Sequence, residues 1–189
     1  MPNWCNNSIS ISHADAEKMQ IVRDALAKDS LFSVLIPCPQ ELVDTTDGSY
    51  SEPYRKELSE FIFELNKKYF GFTSWYDWSL ANWGTKWDIC DANVNSDDGE
   101  IIYLDFDTAW SPPTSAYEKL FEMGYTIHAV YYEGGMSFCG IWNNGEEETY
   151  EIKEPNNQQW LDDNIPAEIL ENMGIEAWED ADDYVATLG

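Results

Sequence analysis

Ile101-Ile102-Tyr103-Leu104-Asp105-Phe106-Asp107 decides the fold of this chain. Apolar and acidic side chains alternate along it with the two-residue period of a strand. Leu104 and Phe106 point to one face, and Asp105 and Asp107 to the other. Upstream, Asn95-Ser96-Asp97-Asp98-Gly99 is a turn signal, and residues 88–95 make the partner strand of a hairpin. Downstream, residues 112–123 read as a helix, opened by Ser111 with proline in its first turn and closed by Gly124. A second hairpin follows, with strands over 125–132 and 136–142 joined across Glu133-Gly134-Gly135. Back toward the N-terminus, Ile9 and Ile11 alternate with serines in a strand over residues 6–12. Residues 15–28 form a helix with Met19, Val22 and Leu26 at helical spacing.

Between that helix and the central hairpin lies extra chain. Residues 54–70 read as an inserted helix with an apolar stripe of Leu58, Phe61, Ile62, Leu65 and Tyr69, stopped by Gly71. Residues 74–87 are dense in tryptophan: Trp75, Trp78, Trp83 and Trp87. With the insertion set aside, the order is βαββαβ plus an extra edge strand. This is an α+β, ferredoxin-like antiparallel sheet. One sheet face packs on two helices. The other needs a cover, which the tryptophan-rich segment, the inserted helix or the C-terminal part would provide. The expected division is a ferredoxin-like domain over residues 1–145 and an acidic C-terminal extension over 146–189. That extension carries two short amphipathic helices, 166–173 and 178–188, separated by Gly174.

The charge is lopsided. The chain has 189 residues and a net charge of −26. Residues 146–189 hold fourteen Asp/Glu against one Lys, which is half of that charge. So acidic a chain repels nucleic acid and resembles it electrostatically, and electrostatics supplies much of the affinity of DNA-binding proteins. Solubility is the plainer use of the same charge. Aromatic residues make up 15% of the chain, too many for an acidic disordered polypeptide. The four cysteines, Cys5, Cys38, Cys90 and Cys139, show no metal-site spacing and are expected as reduced thiols. No basic and apolar leader opens the sequence, and no apolar run reaches membrane-spanning length. The cytoplasm is therefore the expected location, without membrane association.

Five blocks carry a resemblance: Met1-Pro2-Asn3-Trp4-Cys5-Asn6-Asn7; Ile36-Pro37-Cys38-Pro39; Asn82-Trp83-Gly84-Thr85-Lys86-Trp87-Asp88; Phe106-Asp107-Thr108-Ala109-Trp110-Ser111-Pro112-Pro113; and Ser137-Phe138-Cys139-Gly140. In their order and spacing they resemble the YubB or Api92-like ferredoxin-like domain family of bacteriophages and conjugative plasmids. The resemblance covers roughly residues 1–142. It implies the ferredoxin-like fold and a mobile-element origin, and it implies no enzymatic activity. Small accessory proteins of phages and plasmids are often inhibitors of host defence, and several of those are acidic DNA mimics.

Two constellations bear on chemistry. Asp105 and Asp107 share a sheet face, and Lys86, Asp88 and His128 lie on or beside neighbouring strands. Collected in a tryptophan-walled cleft, they would hold a divalent metal or serve as an acid–base set. A polar network tying Lys86 to an aspartate is the structural alternative. Trp4, Trp83, Trp87 and Trp110 would stack a base or a sugar, or pack in the core. Direct nucleic-acid binding is disfavoured by the charge, because no basic stripe exists. Phosphate-loop, dinucleotide, nucleophile-elbow and zinc-protease motifs are all missing from the sequence.

The reading that follows is a non-enzymatic accessory protein without cofactor or metal. It binds and inhibits a host defence protein that has a basic nucleic-acid-binding surface, such as a restriction enzyme, a CRISPR effector complex or a nucleotide-signalling system. The charge-bearing residues would be Glu146, Glu147, Glu148, Asp162, Asp163, Glu171, Glu176, Glu179, Asp180, Asp182 and Asp183. The alternatives are a metal-dependent nucleotide- or nucleic-acid-acting enzyme using Asp105, Asp107, Lys86 and His128, and a plain protein-interaction module. The chain would be a monomer, or a homodimer paired through the edge strand of the terminal hairpin.

Overall fold

The structure, a computed structural model, describes residues 2–45, 53–152 and 157–175. Strand β1 (Trp4–Ser12) is followed by α1 (Ala16–Leu26), whose first turn is capped by Asp15: its carboxylate accepts the Glu17 N–H at 2.9 Å. The inserted region then forms α2 (Leu31–Leu35), α3 (Gln40–Val43), α4 (Pro53–Phe70) and α5 (Trp75–Asn82). Next come the hairpin β2 (Cys90–Asp97) and β3 (Ile101–Ala109), helix α6 (Thr114–Glu122), and strands β4 (Thr126–Glu133), β5 (Phe138–Asn143) and β6 (Glu146–Glu151). Helices α7 (Gln158–Asn164) and α8 (Ala167–Met173) complete the described chain.

All six strands pair antiparallel in the order β2-β3-β1-β4-β5-β6. The first four reproduce the ferredoxin-like arrangement, with β1 and β3 central and each βαβ unit split by an intervening strand. Alternation along β1 explains the layering. Cys5, Asn7, Ile9 and Ile11 are buried on the face that α1 and α6 cover, while Trp4, Asn6, Ser8 and Ser10 point the opposite way. The core on the helical side joins Ile9, Ile11, Val22, Phe32, Leu104, Phe106, Leu120 and Trp142, among others.

The sheet runs one strand further than the spacing of the sequence suggests. Asn144 and Gly145 both have positive φ, 48° and 97°, the two-residue turn that matches the twist of a hairpin. The chain therefore reverses there, and Glu146–Glu151 pairs along the whole of β5. The new edge strand carries four glutamates, charges that oppose pairing with a further strand. At the other edge, β2 is irregular twice, between Cys90 and Asn93 and between Val94 and Ser96.

The second sheet face is covered by the C-terminal part. Helices α7 and α8 lay Leu161, Ile165 and Ile169 against Val130, Cys139 and Ile152, with Tyr132, Ile141 and Tyr150 at the margin. Helix α8 crosses β4 and touches β1 and β5. The inserted helix does not serve as this cover. Its stripe of Leu58, Phe61, Ile62, Leu65 and Tyr69 is exposed, with Phe61 57% and Tyr69 70% accessible among the described residues. The expected helix over 178–188 lies outside the described residues.

Candidate functional site

The blocks that carry the sequence resemblance are largely structural. Asn7 Nδ2 donates to Thr108 Oγ1 at 3.0 Å, and Asn7 Oδ1 accepts the Tyr117 hydroxyl at 3.1 Å; all three residues are buried. Thr108 in turn donates to the Ser111 carbonyl, and Ser111 to that of Gly84. Gly84 has φ +82°, and a Cβ there would sit 3.2–3.3 Å from the backbone of residues 112–115. The Trp83-Gly84-Thr85 turn is thereby clamped onto the start of α6, and the Ala116 N–H closes it on the Trp83 carbonyl. Satisfied polar groups at such depth fix one arrangement of the chain.

Of the five polar residues expected to meet on one face, Asp105, Asp107 and His128 share it, while Lys86 and Asp88 line a separate pocket. Asp105 and Asp107 do line one groove of about 270 Å³, beside Asn6, Ser8, Asp91 and the end of α8. Each is held by an amide: Asn95 donates to Asp105 at 2.8 Å, and Asn6 to Asp107 at 2.6 Å. Among the described residues, no group of three or more His, Cys, Asp or Glu is placed to hold a metal ion. His128 lies on the same face one row further along, opposite Ser10, and its Nε2 is 2.5 Å from the Glu168 carboxylate of α8. Asp88 points elsewhere. Its carboxylate accepts the N–H groups of Phe32 and Ser33 at 2.8 Å each, so a distant residue caps the N-terminus of α2.

Lys86 is held by rings. Its ammonium lies 4.8 Å from the centre of Trp87, 5.5 Å from Tyr76 and 5.6 Å from Trp110. Trp87 also meets Trp4 and Trp110, at 6.4 and 5.8 Å between ring centres. Of the tryptophans expected either to stack ligands or to pack, Trp83 packs in the core and Trp4, Trp87 and Trp110 form this half-exposed cluster.

The acidic residues lie along β6, α7 and α8; strand alternation turns Glu147 to the Trp142 face and Glu146 and Glu148 to the face that α7 and α8 cover. Glu146, Glu147 and Glu148 lie exposed on β6, Asp162 and Asp163 on α7, and Glu171 on α8. Glu176, Glu179, Asp180, Asp182 and Asp183 lie outside the described residues. The placed carboxylates are held mostly by neutral donors. Tyr131 donates to Glu147 at 2.8 Å, Tyr150 to Glu148 at 2.5 Å, Gln158 to Asp162 at 2.8 Å and Gln159 to Asp163 at 2.9 Å. Burial raises the Tyr131 hydroxyl above its ordinary pKa, and the Glu148 carboxylate raises that of Tyr150, so both stay protonated donors. Among the described residues the ion pairs are Arg23–Asp97, Lys56–Glu60 and His128–Glu168, and of these only the last touches the C-terminal segment.

The reach of Tyr131 to β6 was not readable from the sequence, and glycine is what permits it. A Cβ on Gly140 would lie 2.3 Å from the Tyr131 hydroxyl and 2.5 Å from the Glu148 carbonyl. The ring therefore passes over Gly140, crossing β5 to donate to Glu147 on β6. A cavity of about 510 Å³ lies between α3, α5 and the loop that carries Lys86; it is walled by tryptophans, as the density of residues 74–87 suggests, and it holds Lys86 and Asp88 without Asp105, Asp107 or His128. The four cysteines are free thiols. No described helix is long and apolar enough to cross a membrane.

No family model matches the chain, and no curated protein matches it. A solved structure does: the protein api92 from Yersinia pseudotuberculosis, carrying the family label DUF1281, at 12% identity, covering 82% of this chain and all of that one, with a TM-score of 0.40. Its name is that of the family the sequence blocks resemble, but at this identity and score the likeness carries no argument about activity or setting.

Proposed function

We propose that this protein acts by binding, presenting a fixed acidic surface to the basic nucleic-acid-binding face of a partner protein. The observation that supports this reading is how the carboxylates of β6 and α7 are held. Hydroxyl and amide donors fix Glu147, Glu148, Asp162 and Asp163 without neutralising them. The apolar faces of α7 and α8 are anchored to the sheet through Leu161, Ile165 and Ile169. Carboxylates fixed in this way pay less ordering entropy on binding than a mobile acidic tail, and their charge remains available to a cationic groove. In the phage or plasmid setting that the sequence resemblance implies, the partner is a host defence protein, and the outcome is inhibition by DNA mimicry.

The test is competition. The full chain and a variant with Glu146, Glu147, Glu148, Asp162, Asp163 and Glu171 changed to the matching amides are used to capture proteins from bacterial lysate. The captured protein is then challenged with duplex DNA at two salt concentrations. The expected result is a nucleic-acid-binding protein that is captured by the native chain, released by salt, and unable to hold DNA while the chain is bound. A partner that binds DNA and this protein together, or that the neutralised variant captures equally well, refutes the reading.

A further inference from the structure

The inserted region builds a pocket that the βαββαβ core does not need. Its walls come from the loop after α2, from α3 and α5, and from the loop that follows Trp83; the principal side chains are Cys38, Val43, Trp75, Trp83, Lys86 and Trp87. A volume of about 510 Å³ is within the range of small-molecule sites. The aromatic lining is fixed in place. The Trp83 indole N–H donates to the Ile36 carbonyl at 3.0 Å, and its ring meets Trp78 edge-on at 5.5 Å. Burial holds the Cys38 thiol neutral, its pKa pushed up to about 11. The Asp88 carboxylate already accepts three backbone N–H groups, those of Phe32, Ser33 and Ile89.

Lys86 is different. In a chain with 36 acids and 10 bases, its ammonium has no carboxylate and no hydrogen-bond acceptor among the described residues, only the faces of three rings. Three N–H donors thus remain for a ligand at the edge of an aromatic pocket. One cation in so negative a molecule suits one negative charge. We infer that this pocket binds a small planar aromatic monoanion, its ring against Trp75, Trp83 and Trp87 and its anionic group on Lys86. Two sources share that chemistry: a nucleobase carrying a phosphodiester, and an aryl carboxylate.

The probes are adenosine 3′,5′-cyclic monophosphate and indole-3-acetate, with neutral adenosine and indole as their uncharged counterparts. They are titrated calorimetrically against the full chain. Saturable binding of an anionic probe, at least about tenfold tighter than of its neutral counterpart, is expected, and which probe binds identifies the source. Lys86→Met should remove that preference and Lys86→Arg should keep it. Val43→Trp, at an exposed lining position, should fill the pocket and abolish binding of every probe, which tests the site even where the Lys86→Met variant does not fold. Absence of saturable binding by both anions, equal affinity for anion and neutral counterpart, or full binding by Val43→Trp overturns the inference.

Discussion

Ile169→Ala tests whether α8 is an integral part of the fold. Ile169 is fully buried between α8 and the β4–β5 side of the sheet, in one cluster with Val130, Cys139, Leu161 and Ile165. Truncating it removes three carbons and leaves a cavity, at a cost of about 2–5 kcal/mol. At about 3 kcal/mol, a chain of this size would lose ~6–12 °C in Tm if the helix unfolds with the rest. If α8 opens by itself, the same energy appears as about a hundredfold faster amide exchange confined to α7 and α8, with an unchanged global transition. Calorimetry and hydrogen exchange separate the two cases. Glu171→Gln, on the exposed side of the same helix, is the control and should change stability by less than about 0.5 kcal/mol. If Ile169→Ala alters neither Tm nor exchange, the second sheet face is not closed by this helix and the anchoring of the acidic surface is wrong.

Three further outcomes follow from the geometry. Asp88→Ala removes the acceptor of the Phe32 and Ser33 amides and should cost about 1–2 kcal/mol in denaturant unfolding, with exchange accelerated at those two amides. Gly140→Ala drives a methyl group into the Tyr131 ring and the Glu148 carbonyl, and should cost about 1–3 kcal/mol or more; a Tyr131→Phe background should not restore stability, because the Glu148 carbonyl and the ring stay in place. Arg23 and the Gly99 N–H hold the Asp97 carboxyl at a pKa of about 2 against an ordinary 3.8. Because the folded value is the lower one, this pair supports the fold above about pH 3.8 and ceases to as pH falls through 2. Carboxyl NMR should report that value, and Arg23→Gln should move it toward 3.8.

Much of the architecture was legible because short-period patterning is local. The alternation in Leu104-Asp105-Phe106-Asp107, the serines around Ile9 and Ile11, and the helical spacing of Met19, Val22 and Leu26 each specify an element and its inward face. Strand β6 escaped because its residues are mostly glutamates, and charge hid the pairing that the Asn144-Gly145 turn imposes. The exposed stripe of α4 shows the opposite error: helical periodicity reports an apolar face and is silent on what covers it. The site was less readable. Asp105 and Asp107 fall in one groove because they share a strand. Lys86, Asp88 and His128 belong to different structural tasks set by contacts far away in sequence, with Trp110, Phe32 and Glu168.

The packing of α7 and α8 separates two properties that usually constrain each other. Every fourth residue, Leu161, Ile165 and Ile169, faces the sheet and sets the fold, whereas Asp162, Asp163 and Glu171 all lie on exposed positions. Substitution at the outer positions can therefore redraw the electrostatic pattern while the hydrophobic register stays unchanged. A lineage bearing this roof could alter its surface charge one carboxylate at a time, at almost no risk to its own folding.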